Sequence, residues 1–173
     1  SDNAAGTYED MLAAATEVLS RYGLERVPLV LTEMGWPACP CPPLEPPSLI
    51  PNVTYEQQAA YLVRAFLLGW AAGIEMFLWY DFYDGSGGAS IFSEDWFGLV
   101  THDAAPGDGE LPELKPSYRA FQTLNGLLGG RTFGADLSPG ADCRLLRFDG
   151  EGSTLYAVWK TTDELTPCAA TIP

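Results

Sequence analysis

Between Val27 and Trp36 the chain reads VPLVLTEMGW: an apolar run, Leu29-Val30-Leu31, ends at a carboxylate, Glu33, followed by a Gly and a Trp. A short run this apolar predicts a strand buried on both faces, as in a parallel sheet. Alternation along it puts Leu29, Leu31 and Glu33 on one side. The acid closes the strand on the face of its core residues, a position that suits either a reacting carboxylate or a buried structural acid.

Helical patterns bracket this strand. Met11, Leu12, Ala15, Val18, Leu19 and Tyr22 recur at helical spacing and predict a helix from about Tyr8 to Tyr22, with Thr7 and Asp10 as a capping-box-like start and Gly23 as its stop. A second helix starts at Thr54, with Gln57 three residues on, and continues to Gly73. Tyr55, Ala59, Leu62, Val63, Phe66, Leu67 and Trp70 form its packing face. Ile74 to Tyr80 (IEMFLWY) reads as a second buried strand, ending at Asp81. A third helix opens near Pro116, which suits the first helical position, and ends at Leu128 before Gly129-Gly130. The alternation of helix and strand implies an α/β fold with a parallel sheet and helical crossovers.

Two long loops interrupt the alternation. Six prolines lie between Pro37 and Pro47, with Pro51 beyond them, so this stretch is stiff and barred from a sheet. Its length suggests a functional rim. The second loop, about Phe82 to Leu114, is rich in Gly and aromatic residues. After Gly130 the pattern changes. Cys143 to Phe148 and Thr154 to Lys160 are short β-rich runs joined by DGEGS, which predicts a hairpin, and the tail TPCAATIP is read as the start of a third strand. A boundary is therefore placed near Gly130. Two parallel strands do not make a self-standing domain, so the chain is expected to be the last portion of a larger protein.

Composition narrows the function classes. Nine basic against 23 acidic residues give a net charge of −14, which argues against nucleic acid or an anionic membrane as partner. No run of 18 apolar residues exists; Leu62 to Trp79 comes closest, broken by Arg64 and Glu75. The N-terminal SDNAAGTYED is no signal peptide. Of the four cysteines, Cys143 and Cys168 are expected to pair, while Cys39 and Cys41 would close a very small ring and are left open. No metal site or cofactor is expected, because CxC with the single distant His102 is a poor ligand set. His102 beside Asp103 reads as a surface residue, and no nucleophile motif supports a triad. Gly85-Ser86-Gly87-Gly88 leads into no helix, which disfavours phosphate binding.

TEMGW at a strand end, a long helix, a strand ending in WYD, then FGLV and LKPSYRAF opening a helix: in this order the sequence resembles the C-terminal part of clan A glycoside hydrolases, nearest to the family 39 and family 5-like bacterial enzymes. The resemblance covers most of Tyr8 to Leu128. It implies the C-terminal portion of a (β/α)8 TIM barrel in residues 1–130, carrying barrel strands seven and eight, and the start of a small β-sandwich in 131–173. Barrel enzymes of this kind keep their chemistry at the C-terminal mouth of the strands. The nucleophile role would fall to Glu33 and the aromatic platform to Trp79. The family's general acid/base is a Glu after an Asn, and no Asn-Glu pair occurs in this sequence.

A retaining glycosidase needs two carboxyl groups about 5–5.5 Å apart. Glu33 supplies one and must be ionised to attack. Trp79 offers a flat surface on which sugar C–H faces stack, and an N–H for a hydroxyl. Trp36 either lines a subsite or anchors the proline-rich loop. Asp81 binds a sugar hydroxyl or orients Glu33's partners, or else caps the following loop. Tyr83 is a further hydroxyl contact, while Tyr80, on the face opposite Trp79, is expected to pack against helices. The loop with Glu94, Asp95, Trp96 and Phe97 either covers the cleft or forms a solvated face with a buried anchor.

The expected protein is a retaining O-glycoside hydrolase acting on an oligo- or polysaccharide, with this chain holding only the nucleophile half. Its partners would be a carbohydrate substrate and the missing N-terminal half of its own barrel, and a secreted location is favoured. The rival is a barrel that binds carbohydrate without cleaving it; an upstream Asn-Glu separates the two. An open parallel sheet in another α/β enzyme is a further rival, separated by counting upstream strands.

Overall fold

The computed structural model describes residues 8–39, 52–85, 92–102, 112–161, 168 and 172. Three helices, α1 (Tyr8–Arg21), α2 (Tyr55–Ala71) and α3 (Pro116–Leu128), alternate with two strands, β1 (Leu29–Met34) and β2 (Ile74–Trp79). A three-stranded antiparallel sheet follows, β3 (Thr132–Asp136), β4 (Cys143–Gly150) and β5 (Ser153–Lys160). The fold is thus mixed α/β.

Local chemistry sets the helix ends. Thr54 and Gln57 cap α2 reciprocally: the Thr54 N–H donates to Gln57 Oε1 at 2.9 Å, and the Gln57 N–H donates to Thr54 Oγ1 at 3.1 Å. Past α1, Gly23 takes φ +68°, its N–H donates to Ser20 O, and the Leu24 N–H donates to Leu19 O. This paired closure needs a left-handed residue, which glycine supplies without a Cβ clash. Thr7, expected to cap α1, lies outside the described residues.

β1 and β2 are hydrogen-bonded neighbours. The Tyr80 N–H just after β2 donates to the Met34 carbonyl at the end of β1 (2.9 Å), so the C-terminal ends of both strands lie side by side. The strands are not buried on both faces as expected. Val30 is 41% exposed, Met76 53% and Leu78 49%. Met76 and Leu78 lie on one face and Val30 on the other, and the described residues leave all three half open, although they are as apolar as a covered strand requires.

The chain divides into two compact units, residues 1–29, 65–75 and 126–173 against residues 30–64 and 76–125. In the first, β4 is the central strand and buries Cys143, Leu145, Leu146 and Phe148. Phe148 meets Phe133 and Trp70 edge-on. Arg144 pairs with Glu9 of α1 at 2.7 Å. Arg131 donates to Leu127 O, Ser153 O and Ser153 Oγ, tying the end of α3 to the start of β5. The hairpin is present, and Cys143 and Cys168 are joined. The third strand precedes the hairpin, at Thr132–Asp136, and does not come from the tail; most of the tail (162–167, 169–171 and 173) lies outside the described residues. Its register shifts between Phe133 and Ala135, at Gly134. The boundary near Gly130 falls close to one unit edge, between residues 125 and 126, but that unit also takes in α1 and the end of α2.

The second unit holds an unexpected ladder. Phe97–Thr101 runs between residues 81–84 and 113–115. Leu99 N–H donates to the Asp81 and Phe82 carbonyls, Val100 N–H to Phe82 O, Asp84 N–H to Val100 O, and Lys115 N–H to Leu99 O. Tyr83 bridges Val100, which bridges Leu114. This ladder carries the chain past the ends of β1 and β2. The ends of the proline-rich loop are pinned too. Asn52 bonds both the N–H and the carbonyl of buried Cys39, and Val53 N–H donates to Pro37 O. Residues 40–51 of that loop, and the glycine-rich 86–91, lie outside the described residues.

Candidate functional site

The turn out of β1 depends on Gly35. A Cβ there would overlap the Tyr80 carbonyl oxygen and meet the Phe97 ring at 2.8 Å, so only glycine lets this backbone pass. Glu33 lies two residues before it and Trp36 one after. Trp36 sits between two aromatic rings, 5.4 Å from Tyr61 of α2 and 6.0 Å from Trp79 at the end of β2, tilted 37° to the latter. The structure therefore brings Trp36 and Trp79 together.

The Trp79 indole N–H donates to the Phe97 carbonyl at 3.3 Å. It is engaged by the protein and not offered to a hydroxyl, which corrects the sequence reading. Tyr80 packs edge-on against Phe97 at 5.4 Å, not against helices as expected. Its hydroxyl is pushed up from its ordinary value by burial first, then by the charges of Glu94, Asp81, Glu33 and Asp95. Glu33 and Asp81 thus act on one hydroxyl from two strand ends. Glu33 is exposed on β1. Asp81, also exposed, accepts the Phe82 N–H, the capping role foreseen as its plainer option. Tyr83 is exposed and meets Phe82 edge-on at 5.0 Å; Phe82 in turn faces Tyr118. Trp96 is buried against Cys39, and Phe97 is buried as well.

Sequence reasoning missed a buried polar network beside these residues. Asp84 and Lys115 form an ion pair at 2.6 Å, with side chains 1% and 0% exposed. Asp84 Oδ1 also accepts the Gly98 N–H at 2.9 Å, while Lys115 donates to Trp96 O and stands 5.1 Å over the Tyr55 ring. Burial pushes the Asp84 carboxyl up and the Lys115 amine down, each opposed by the other's charge. Gln58 of α2 donates to Trp36 O at 2.9 Å and faces Phe97 O and Gly98 O at 3.4 Å, and its own oxygen accepts the Ser117 hydroxyl at 2.7 Å. Gln58 was findable: it stands three residues after Tyr55 and four before Leu62, a polar residue inside an apolar stripe. No local signal marks Asp84 or Lys115.

The strand ends thus carry an exposed carboxylate, Glu33, whose charge reaches the Tyr80 hydroxyl, and a pair of indoles packed with Tyr61 of α2. Among the described residues no group of three or more His, Cys, Asp or Glu is placed to hold a metal ion, and no helix is long and apolar enough to cross a membrane. No family model matches the chain, and no curated protein matches it. Among solved structures it is similar to a family 39 glycoside hydrolase from the gut symbiont Bacteroides cellulosilyticus WH2, with 28% identity and a TM-score of 0.60. That match covers 90% of this chain and 28% of the other.

Proposed function

We propose that this chain is part of a retaining O-glycoside hydrolase and that Glu33 is its nucleophile. The observation that carries the reading is the pairing of strand ends: Tyr80 N–H bonds Met34 O, bringing Glu33, near the end of β1, and the Trp36–Trp79 pair to the same end of the strands. The likeness to a family 39 glycoside hydrolase supports it. In this reading β1 and β2 are the last two strands of a (β/α)8 barrel, and β3–β5 begin a β-sandwich. The exposed apolar side chains Met76 and Leu78, on the Glu33 face, are what the rest of a barrel interior would cover. The disulfide of Cys143 and Cys168 favours a secreted protein.

The sugar stacks on the aromatic pair, presenting its anomeric carbon to Glu33. The carboxylate oxygen forms a bond to that carbon as the bond to the leaving oxygen breaks. A second carboxyl group, about 5–5.5 Å away on an earlier barrel strand, protonates the leaving group. The same group then takes a proton from water, which attacks the glycosyl ester and frees Glu33 with net retention. The chain alone holds one half of this pair and does not turn over.

In the full-length protein, Glu33→Gln is expected to cut hydrolysis of aryl glycosides by about three orders of magnitude or more, with an unchanged circular dichroism spectrum. A 2-deoxy-2-fluoro glycoside should add its sugar mass to the peptide that holds Glu33. Unchanged hydrolysis in the variant refutes the assignment. A wild type that binds saccharides and cleaves none is a carbohydrate-binding barrel instead.

A further inference from the structure

The Gln58 side chain is wholly buried, and its amide nitrogen reaches carbonyls from two separate segments. One is Trp36 O, after β1. The others, Phe97 O and Gly98 O, open the ladder that passes the end of β2. The Phe97 oxygen also accepts the Trp79 indole N–H at 3.3 Å and the Asp81 N–H at 3.1 Å. Trp36 and Trp79 are therefore fastened to one side chain, Trp36 through its own carbonyl and Trp79 through a shared acceptor. Ser117 fixes Gln58 from the far side at 2.7 Å, and Asp84, held by Lys115, fixes Gly98 through its N–H. The indole rings, 6.0 Å apart and tilted 37°, have no bond to each other; Trp36 also packs on Tyr61 of the same helix as Gln58.

We propose that Gln58 is a positioning residue: its amide sets the separation and tilt of Trp36 and Trp79, and through them the saccharide affinity of the site. The affinity half rests on reading the tryptophan pair as a sugar platform; the geometric half does not. A glutamine at this point of an apolar helix face has three oxygens to satisfy, all belonging to segments that carry the two rings or their acceptor. A helix that only needed to pack would do so with an apolar residue.

Two indoles this close couple excitonically, so circular dichroism reads their geometry without any sugar; the couplet is assigned by its loss in Trp36→Ala. In the full-length protein, well below the melting point of each variant, Gln58→Leu is expected to reduce the couplet by about half or more. It should raise the half-saturating concentration of the best bound of xylotetraose, cellotetraose and mannotetraose about ten-fold. In a Trp36→Ala, Trp79→Ala background the same change should add less than about two-fold, since groups acting through one another are not additive. A couplet and an affinity that stay put while the melting point falls make Gln58 merely structural and overturn the proposal. A couplet that moves while the double tryptophan variant binds as the wild type does, or while the wild type binds none of the three sugars, overturns the affinity half and traces the failure to the platform reading. If Gln58→Leu does not fold, Ser117→Ala loosens the same amide more gently; it should reduce the couplet by about a quarter and raise the half-saturating concentration about three-fold, and no shift in the couplet overturns the proposal.

Discussion

Asp84 and Lys115 are the residues on which the interior beneath the site is most exposed to damage. Each is a charge withdrawn from water, and each is tolerable because the other stands 2.6 Å away. Lys115→Met leaves the Asp84 carboxylate buried and alone, which should destabilise the protein by about 3–5 kcal/mol at neutral pH. The sign of the pH dependence follows from the direction of the shift. Burial holds the Asp84 carboxyl above its ordinary value, and losing the Lys115 charge raises it further. The folded state then grips the proton more tightly than the unfolded chain does. Its contribution is full below the ordinary carboxylate range and is lost as pH rises through the folded value. The stability deficit of Lys115→Met, measured by urea unfolding, should shrink by half or more between about pH 7 and pH 4.5. A deficit that ignores pH would mean that Asp84 is not the ionised partner.

At the scale of elements, α2 is the piece on which the site hangs, since it supplies both Tyr61 and Gln58. Its first turn is fixed by the reciprocal bonds of Thr54 and Gln57. Thr54→Ala should cost about 1 kcal/mol, which appears as amide exchange about five-fold faster in the first turn of α2. Exchange at the wild-type rate would show that the cap adds nothing. This helix, its cap and its end were legible because capping side chains, apolar spacing and terminal glycines act within a few residues of each other. The same holds for α1, α3 and the β4–β5 hairpin. β3 was not legible, because at five residues, with Phe133 its one large apolar side chain, it is too short to show a period. The ladder through Phe97–Thr101 was not legible either: its bonds join segments too short to show a period. Gln58 stood in plain view on the apolar stripe, whereas Asp84 and Lys115 lie 31 residues apart and only the fold makes them neighbours.

At the scale of the whole molecule, the β1–β2 pair carries large apolar side chains that the described residues leave half open. Val30, Met76 and Leu78 are large, apolar and about half exposed. Surfaces of this kind associate when nothing covers them. The 173-residue chain expressed by itself should therefore self-associate, its weight-average mass in sedimentation rising across a roughly twenty-fold range of micromolar concentration. A constant monomer mass with a single sharp melt would contradict this.

The bond from the Trp79 indole to Phe97 O has a stereochemical consequence. In the platform reading proposed above, its one donor is spent internally, so the ring would meet a guest by its π-face alone and discriminate by shape. Pyranoses whose substituents are all equatorial present an unbroken sheet of C–H bonds and lie flat against it. An epimer with one axial hydroxyl on that side would be lifted away, so such a platform would sort sugars by configuration at single carbons without naming any hydroxyl.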